Sequence, residues 1–419
     1  MDKFAFLFPG QGTQFIKMGK TFYDNYLIAR QTFEEANSAT GQDIIQLCFS
    51  GSFSQINQFT NMQLAIVTTE VAIFRAYMED YGVPPQFLLG HSIGEYAALV
   101  CSGAIEFADC LKILQKRGEL VQKILAQSKG SMTIIEQVSE EQVHAGLKAA
   151  GTAGKVSLSC YNSPSQFAVC GEKYGLEIFE DEMVKRNAVI TPLLQSPPMH
   201  SRMMEEIREE FKEFLDTFCY HPFQYPIISN VTGKAMTDAR QIPYMLSEHL
   251  IRPVQFTRSV EYMLNFGVNV VIEMSPKLLL TLFINSITAE VSAFCYGLEK
   301  NREQLHVYFQ QNAGYEKDMP DFLGACLCEL ASTRNNNPDN DNQRVAEIYN
   351  TIKKEYMSTE TTRFTPSDSH FAQILKLVIE ALKIKYVPEN EIADSIRSIL
   401  HRTNKMYVHS DFINQGKVS

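Results

Sequence analysis

The segment LLGHSIGEYAALV, residues 88–100, consists of an apolar run, a G-x-S-x-G motif centred on Ser92, and a run with helical character. In such a motif the serine lies on a tight turn, and small residues two positions before and after it, here Gly90 and Gly94, let a strand and a helix approach each other. The turn exposes the serine hydroxyl, and the N–H of the next residue, Ile93, points to the place where an oxyanion develops. The segment therefore predicts a strand-to-helix elbow with a nucleophilic serine. The alternative is a serine that only caps a helix.

Strand-like and helical segments alternate on both sides of this elbow. Helical spacing of apolar side chains occurs at residues 63–80 and 107–127. Short apolar runs predict buried strands at residues 3–8, 87–89, 226–230 and 268–273. Strands that alternate with helices indicate an α/β fold with a parallel sheet and helices on both of its faces.

The middle of the chain has a different pattern. Short strands are predicted at residues 131–136, 156–159 and 166–170, with helices near 139–149 and 173–186. The order strand–helix–strand–strand–helix–strand is typical of a small ferredoxin-like unit, which we place at about residues 129–195. A cleft between this inserted unit and the larger one is a favourable position for a binding site.

Beyond residue 305 the sequence becomes helical, so we assign residues 306–419 to a helical C-terminal extension. The polar run NNNPDNDN, residues 335–342, predicts a linker between its helices. The apolar stripe of residues 369–385 has two interpretations. It either packs within the protein or forms a docking face for a partner helix. The helices are predicted near residues 320–333, 343–357, 369–385 and 389–403.

Composition excludes several classes of protein. The net charge of -10 argues against a nucleic-acid binder, and an acidic partner would need a local basic patch. No apolar run approaches the roughly 20 residues of a membrane span, and the N-terminus does not resemble a signal peptide. The nine cysteines lack the spacing of zinc sites and indicate reduced core residues in a cytoplasmic protein.

A nucleophilic serine needs a base within hydrogen-bond reach, and the chain has nine histidines. His200 is the first candidate because it follows the inserted unit, where the chain would re-enter the cleft. His249 is the second candidate. His91 adjoins the serine, but neighbours at an elbow point in different directions, so we expect it to be structural.

Two further residues could contact a substrate. Gln11 follows the first predicted strand, where ligands gather in open parallel sheets, and its backbone N–H could serve an oxyanion. The loop lacks the lysine of a phosphate loop. Arg117 lies in the predicted helix 107–127. It either forms a salt bridge or snorkels, or it points into the cleft, where its planar fork would suit a carboxylate.

Six ordered motifs resemble those of malonyl-CoA:acyl carrier protein transacylases, including the discrete, trans-acting acyltransferases of polyketide synthases. The similarity covers roughly residues 1–305, which we therefore interpret as an acyltransferase domain. It implies an α/β-hydrolase-like large subdomain with an inserted ferredoxin-like subdomain. The motifs are FPGQGTQ, LGHSIGEYAALVCSGAIEFADC, QKRGELVQ, YNSP, ISNVTG, and RPVQF with SVEYM.

The resemblance implies a catalytic role for five residues. Ser92 matches the acylated nucleophile and His200 its general base. Gln255, in RPVQF, matches the residue whose backbone carbonyl orients that histidine. Gln11 and Ile93 match the residues whose N–H groups form the oxyanion hole.

The resemblance also implies a substrate pocket. Arg117 matches the arginine that pairs with the malonyl carboxylate, and Gln63 and Asn162 match polar residues that line the pocket. The substrates would be malonyl-CoA, or a related acyl thioester, and the phosphopantetheine thiol of an acyl carrier protein. Such a two-step exchange through a Ser92 ester needs no metal and no redox cofactor.

The sequence departs from the family pattern at three places. Met199-His200 stands where malonyl-specific members usually have Phe-His, and the flexible methionine would admit a substituent on the malonyl group. Ile93 fits the malonyl pattern, so malonyl is the expected cargo and a hydroxy- or amino-substituted malonyl remains open. Residues 275–277 (SPK) replace the usual Gly-Pro-Gly and could alter a loop near the pocket. The extension, with TRNNN at residues 333–337, resembles those of discrete polyketide-pathway acyltransferases and acyl hydrolases.

Three other functions compete with this interpretation. A trans-acting acyl hydrolase would pass the acyl group to water, but Arg117 favours a cargo with a free carboxylate. An esterase should have an HGGG loop, which the sequence lacks. A non-catalytic docking protein would be expected to lack Ser92 or His200, and both are present.

Overall fold

The computed structural model describes residues 2–127, 130–152, 155–193, 196–312, 315–337, 343–359 and 368–403. The chain divides into two compact units. The first comprises Met1–Arg75 and Pro85–Arg302, and the second comprises Ala76–Pro84 and Glu303–Ser419. The C-terminal part of the second unit begins at Glu303, three residues before the predicted start of the extension at residue 306. The unit also includes Ala76–Pro84, which interrupts the first unit in the sequence.

The elements up to residue 127 are one strand, a group of helices, and the strand and helices of the elbow region. In chain order they are β1 (Phe4–Phe8), α1 (Lys20–Asn25), α2 (Leu27–Thr40), α3 (Ile44–Ser50), α4 (Phe53–Ile56), α5 (Phe59–Asp80), β2 (Phe87–Gly90), α6 (Gly94–Cys101) and α7 (Phe107–Ala126).

The remaining elements of the first unit form the inserted subdomain and then return to the large sheet. They are β3 (Ser131–Glu136), α8 (Glu140–Ala149), β4 (Val156–Ser163), β5 (Gln166–Gly171), α9 (Lys173–Val184), β6 (Val189–Leu193), α10 (Glu205–Leu215), β7 (Ile227–Ile228), α11 (Ile242–Ile251), α12 (Phe256–Asn265), β8 (Val270–Glu273), α13 (Leu280–Ile287) and β9 (Ser292–Cys295).

The large sheet is parallel throughout and has the strand order β7-β2-β1-β8-β9. All five residues of β1 are buried, as expected for a central parallel strand whose two faces are both covered. Phe8 pairs with Gly90 at the carboxyl ends of β1 and β2. The loops that follow these strands therefore lie side by side at one edge of the sheet, where open α/β folds bind ligands.

The inserted subdomain is an antiparallel sheet of order β4-β5-β3-β6 with a core between the sheet and helices α8 and α9. Phe167 of β5, Val143 of α8 and Phe179 of α9 lie in that core. Both the order of elements and the strand order are those of a ferredoxin-like fold. The predicted fold class, a parallel α/β sheet with an inserted ferredoxin-like unit, is confirmed.

Two helices of the large subdomain cross closely where the site lies. A Cβ atom added to Gly118 of α7 would lie only 2.0 Å from Oγ1 of Thr60 in α5. Only glycine allows this approach without displacing the other helix. The close crossing places Arg117, the residue before this glycine, beside Gln63 of α5.

The second unit is helical. Its elements are the end of α14 (Glu299–Asn312), then α15 (Tyr315–Ser332), α16 (Gln343–Thr359), α17 (Asp368–Ile384) and α18 (Glu389–Arg402). The rings of Phe322 in α15 and Phe371 in α17 pack edge to face with centroids 4.9 Å apart. The apolar stripe of residues 369–385 is buried at Phe371, Leu375, Val378 and Leu382. Packing is therefore the correct interpretation of that stripe. Residues 338–342 of the predicted linker lie outside the described residues.

Within the described ranges, every helix is too short or too polar to cross a bilayer.

Glu70 of α5 is fully buried, and both of its carboxyl oxygens lack a hydrogen-bond partner in the described part of the chain. Burial, and secondarily the charge of Glu273, raise the pKa of Glu70 well above its ordinary value. The folded protein therefore holds this proton more tightly than the unfolded chain does. The resulting stabilisation is complete below the pKa that Glu70 has in the unfolded chain. It is lost as the pH rises through the higher pKa that Glu70 has in the folded protein.

We predict that Glu70→Gln flattens the decline of unfolding free energy between pH 5 and pH 8. One titrating group can contribute up to about 1.4 kcal/mol per pH unit. Urea unfolding followed by circular dichroism measures the effect. The exposed Glu34→Gln is the control. Parallel pH dependences for Glu70→Gln and the unsubstituted protein would show that Glu70 does not titrate as described.

Candidate active site

Ser92 lies on the turn between β2 and α6 with a positive φ of 52°. Added Cβ atoms at the flanking glycines would collide with backbone. At Gly90 the Cβ would lie 2.1 Å from the Glu95 nitrogen, and at Gly94 it would lie 1.9 Å from the Phe8 oxygen. A left-handed backbone at a non-glycine residue is a strained conformation that surrounding structure must hold. This is the elbow that the motif predicts.

The Ser92 hydroxyl and the His200 ring are in direct contact, with Oγ 2.7 Å from Nε2. On the other side of the ring, Nδ1 lies 2.7 Å from the backbone oxygen of His249. Because a carbonyl only accepts hydrogen bonds, Nδ1 must carry the hydrogen, and Nε2 is left to accept the serine proton. The sequence places these two residues 108 positions apart, and the fold brings them together.

Burial, and secondarily the positive charge of Arg117, lower the pKa of His200 to about 3. The imidazole is therefore neutral at physiological pH and free to act as a base. Its backbone φ of 59° is also positive, so both members of the pair are held in unusual conformations.

The predicted orienting role of Gln255 is wrong. Its backbone carbonyl accepts the N–H and hydroxyl of Ser259 at 2.9 and 2.8 Å, at the start of α12. The carbonyl of His249 orients His200 instead. The residue four positions after His249 is Pro253, which has no N–H, so this carbonyl lacks its helical donor and remains available. His249, the second candidate for the base, does not contact the Ser92 hydroxyl.

Asn230, which sequence reasoning did not single out, holds the elbow in place. Its Oδ1 accepts the Ser92 N–H at 2.7 Å, and its Nδ2 donates to the Gly90 carbonyl at 2.7 Å. It follows β7, which pairs with β2, so both strands end at the same edge of the sheet. An amide side chain at the last residue of the predicted strand 226–230 was the available signal.

The two predicted oxyanion donors lie at this edge. The loop that carries Gln11 is in contact with the elbow, because a Cβ on Gly10 would lie 2.6 Å from the His91 oxygen. Among the described residues, neither the Gln11 N–H nor the Ile93 N–H donates to an acceptor. Two unengaged N–H groups beside a serine hydroxyl form a suitable oxyanion site.

Arg117 is buried, and among the described residues no carboxylate pairs with it. Its Nη1 donates to Oε1 of Gln63, and its guanidinium carbon lies 5.6 and 5.5 Å from the ring centroids of Phe59 and Tyr96. Burial lowers the pKa of Arg117, yet a guanidinium remains charged in proteins. The arrangement leaves a buried positive charge without a counter-ion.

These groups surround one cavity of about 710 Å³. Its size and its mixed apolar and polar lining are those of a small-molecule site. It is lined by eight of the nine predicted site residues, all except Gln255: Gln11, Gln63, Ser92, Ile93, Arg117, Asn162, Met199 and His200.

The predicted pocket residues occupy distinct parts of the wall. Oδ1 of Asn162 lies 2.8 Å from Nε2 of His91. The imidazole of His91 is therefore hydrogen-bonded to Asn162 and not to the Ser92 hydroxyl. The side chain of Met199 lines the cavity together with Met62 and Met132. Three flexible thioether side chains give this wall an adaptable shape.

The unusual segment at residues 275–277 reaches the cavity rim. Nζ of Lys277 donates to the carbonyl of Gly12, the residue after Gln11, at 3.1 Å. Leu279, two residues further along the chain, lines the cavity. The predicted effect on a loop near the pocket therefore has a structural basis. Among the described residues, no three His, Cys, Asp or Glu side chains cluster in a way that could hold a metal ion.

Comparisons with known proteins agree with this geometry. The family model for the acyl transferase domain matches residues 5–318. A malonyl CoA-acyl carrier protein transacylase of Bacillus subtilis is 34% identical over 340 residues, which cover 81% of this chain and 85% of that protein. The transacylase of the same name from Escherichia coli K12 is 32% identical over 71% of this chain and 100% of its own length.

Two solved structures are similar in sequence and fold. An acyl carrier protein S-malonyltransferase from Vibrio cholerae has a TM-score of 0.69 and 32% identity, over 73% of this chain and 100% of that chain. A malonyl-transacylase in complex with its type II polyketide synthase acyl-carrier protein has a TM-score of 0.68 and 31% identity. That match covers 70% of this chain and 96% of the transacylase chain. The 340-residue match to the Bacillus subtilis protein is longer than 305 residues, so that similarity continues into the helical extension.

Proposed function

The chain belongs to the acyl transferase family, among its malonyl CoA-acyl carrier protein transacylases, and from that premise we propose a specific reaction. Ser92 takes a malonyl group, or a substituted malonyl group, from CoA or from a carrier thioester. It then passes the group to the phosphopantetheine thiol of an acyl carrier protein. The protein is an acyltransferase that works through an ester intermediate.

One observation carries the choice of cargo: Arg117 is a buried cation that no carboxylate of the described residues pairs with, in the cavity that holds Ser92 and His200. A buried charge without a partner is unfavourable unless a ligand compensates it. The free carboxylate of a malonyl group supplies that compensation while its thioester carbonyl reaches the serine. An acetyl group has no such carboxylate.

In the first half-reaction, Nε2 of His200 takes the proton of the Ser92 hydroxyl as Oγ attacks the thioester carbonyl carbon. The carbonyl oxygen becomes an oxyanion that the N–H groups of Gln11 and Ile93 stabilise. When the intermediate collapses, the carbon–sulfur bond breaks, and the leaving thiolate receives the proton from His200. The products are the Ser92 ester and a free thiol.

The second half-reaction reverses this order. His200 takes the proton of the carrier thiol, the sulfur attacks the Ser92 ester, and the serine oxygen leaves with that proton. Each step exchanges an acyl group and a proton, so neither a metal nor a redox cofactor takes part in the proposal.

Incubation with radiolabelled malonyl-CoA, followed by a phosphopantetheinylated carrier protein, tests transfer against hydrolysis. We expect a stable malonyl ester on Ser92 that moves to the carrier protein, with a carrier lacking phosphopantetheine as the control acceptor. Absence of the ester, together with turnover of simple acyl thioesters, would instead identify a trans-acting acyl hydrolase.

The finer part of the proposal is that the carrier protein serves polyketide or related secondary biosynthesis. The resemblance of the helical extension to those of discrete polyketide-pathway acyltransferases, and the likeness to a malonyl-transacylase solved with its type II polyketide synthase acyl-carrier protein, support this assignment. The adaptable wall of Met62, Met132 and Met199 supports a place for a substituent on the malonyl group. Competition among malonyl, methylmalonyl, hydroxymalonyl and aminomalonyl donors, read by intact-protein mass spectrometry, ranks the cargo. A matching set of fatty-acid and polyketide carrier proteins ranks the acceptor.

A chain ended near residue 305 is expected to keep Ser92 acylation, because all residues that line the cavity lie between Gln11 and Ser286. We expect a lower melting temperature, because Tyr81 loses the ring of Phe309, 5.0 Å away within the second unit. A chain ended at residue 403 is the control. A folded truncated protein that fails to acylate Ser92 would contradict the prediction.

A further inference from the structure

A second set of buried contacts connects Ser92 to His200 underneath the elbow. Ser92 donates its N–H to Asn230, whose own N–H lies 3.4 Å from both carboxyl oxygens of Glu95. The carboxyl of Glu95 lies 3.5 Å from Nδ1 of His249. His249 in turn contacts His200, which completes a ring of contacts around the reacting pair.

His249 contacts the base in two ways. Its backbone oxygen accepts the Nδ1–H of His200, and its imidazole faces the imidazole of His200 with ring centroids 4.6 Å apart and planes tilted by 33°. The side chains of Glu95 and His249 are 1% and 2% exposed, and Nε2 of His249 has no partner in the described part of the chain. The reaction described above uses neither side chain.

A buried carboxyl beside a buried imidazole is unfavourable for folding compared with an apolar pair of the same shape. Glu95 accepts the N–H of Asn230 and so helps to hold the elbow, but a neutral amide oxygen could accept the same N–H. The ionisable groups of Glu95 and His249 are therefore not required for the geometry of the elbow. Their position behind the base suggests that they act on the base.

We propose that Glu95 and His249 form a buried acid–imidazole pair that positions His200 and controls how readily it accepts the Ser92 proton. Both are positioning residues, since neither reaches the substrate. The inference rests on the proposed roles of Ser92 and His200.

The charge of this pair changes with pH. Burial raises the pKa of Glu95 to about 8 and lowers the pKa of His249 well below its ordinary value. At neutral pH the pair therefore holds its proton on the carboxyl, and the imidazole is uncharged. Above pH 8 the carboxyl becomes a buried anion. The other titratable groups that face the pair are His200, Arg117 and His91 on the side of His249, and Tyr96 beside Glu95.

A nearby anion favours the imidazolium that His200 becomes as it takes the serine proton. Ionisation of Glu95 should therefore speed acylation, and the rate should rise through about pH 8. Neutral glutamine at position 95 keeps the shape of the side chain and cannot ionise, so this rise should disappear.

The test measures the rate of Ser92 acylation by malonyl-CoA in the full-length protein, by rapid quench and intact-protein mass spectrometry, from pH 6 to pH 9.5. We expect Glu95→Gln to be near the unsubstituted rate at pH 6.5 and about tenfold slower at pH 9, the size of a one-unit change in the basicity of His200. His249→Phe keeps a ring and the backbone carbonyl but replaces the polar neighbour of the Glu95 carboxyl by an apolar one, so the alkaline rise should move to higher pH. His249→Gln removes the ring and should be slower at every pH.

The control is His144→Gln, because His144 lies at the same 3.5 Å from Glu140 but on the surface. It should leave the profile unchanged. Melting curves identify any variant that fails to fold, and either Glu95→Gln or His249→Phe is sufficient for the test. Profiles of the folded variants that parallel the unsubstituted protein would overturn the inference. Absence of the Ser92 ester in the unsubstituted protein would instead overturn the proposed function.

Discussion

Ser92→Ala is expected to eliminate the malonyl ester and to reduce carrier-protein malonylation by about 10⁴-fold or more, as for other nucleophilic serines that act as a unit with their base. The expectation follows from the 2.7 Å contact between Oγ and Nε2 of His200. Without the hydroxyl there is no atom to accept the acyl group, although the oxyanion site and Arg117 can still bind the thioester. Intact-protein mass spectrometry after incubation with malonyl-CoA measures the loss directly.

Two companion variants make this result interpretable. Ser286 lines the same cavity, so Ser286→Ala should keep the full ester and exclude a general disturbance of the pocket. His200→Ala keeps the hydroxyl but removes the base, and we expect acylation about 10²- to 10⁴-fold slower. An undiminished ester in Ser92→Ala would mean that another residue is the nucleophile.

The elbow could be predicted because its determinants are local. Gly90, Ser92 and Gly94 lie within five residues, and close backbone approach requires both glycines. The alternation of strands and helices is also a local property, and it predicted the parallel sheet and the inserted subdomain. His200 could be named because the inserted subdomain returns the chain to the cleft.

The contacts that sequence reasoning missed depend on where distant elements end. The carbonyl that orients His200 belongs to His249, in the last turn of α11, which lies just before the RPVQF motif that contains Gln255. Asn230 meets Ser92 across 138 residues, because β7 pairs with β2. The inclusion of Ala76–Pro84 in the helical unit likewise depends on tertiary packing, and no local pattern indicated it.

Arg117→Ala is expected to change which acyl group the enzyme accepts. A charge-assisted hydrogen bond to a carboxylate contributes roughly 1.5–3 kcal/mol, so loss of the guanidinium should slow acylation by malonyl-CoA by about 10²-fold. Acylation by acetyl-CoA should be retained. The substitution also removes a charge that lowers the pKa of His200, which strengthens the base and does not weaken it.

The ratio of the malonyl and acetyl rates is the decisive measurement, because a general loss of structure would lower both rates together. Arg117→Lys should give an intermediate ratio, since an ammonium keeps the charge but lacks the planar fork that meets both carboxylate oxygens. Arg75→Ala is a suitable control. Arg75 lies on α5 and pairs with Glu35 at 2.9 Å, and it does not line the cavity.

Since Gln63 is the only hydrogen-bond partner of Arg117 among the described residues, the guanidinium still has donors for a carboxylate. An unchanged malonyl-to-acetyl ratio in Arg117→Ala would therefore refute the carboxylate-binding role of this residue.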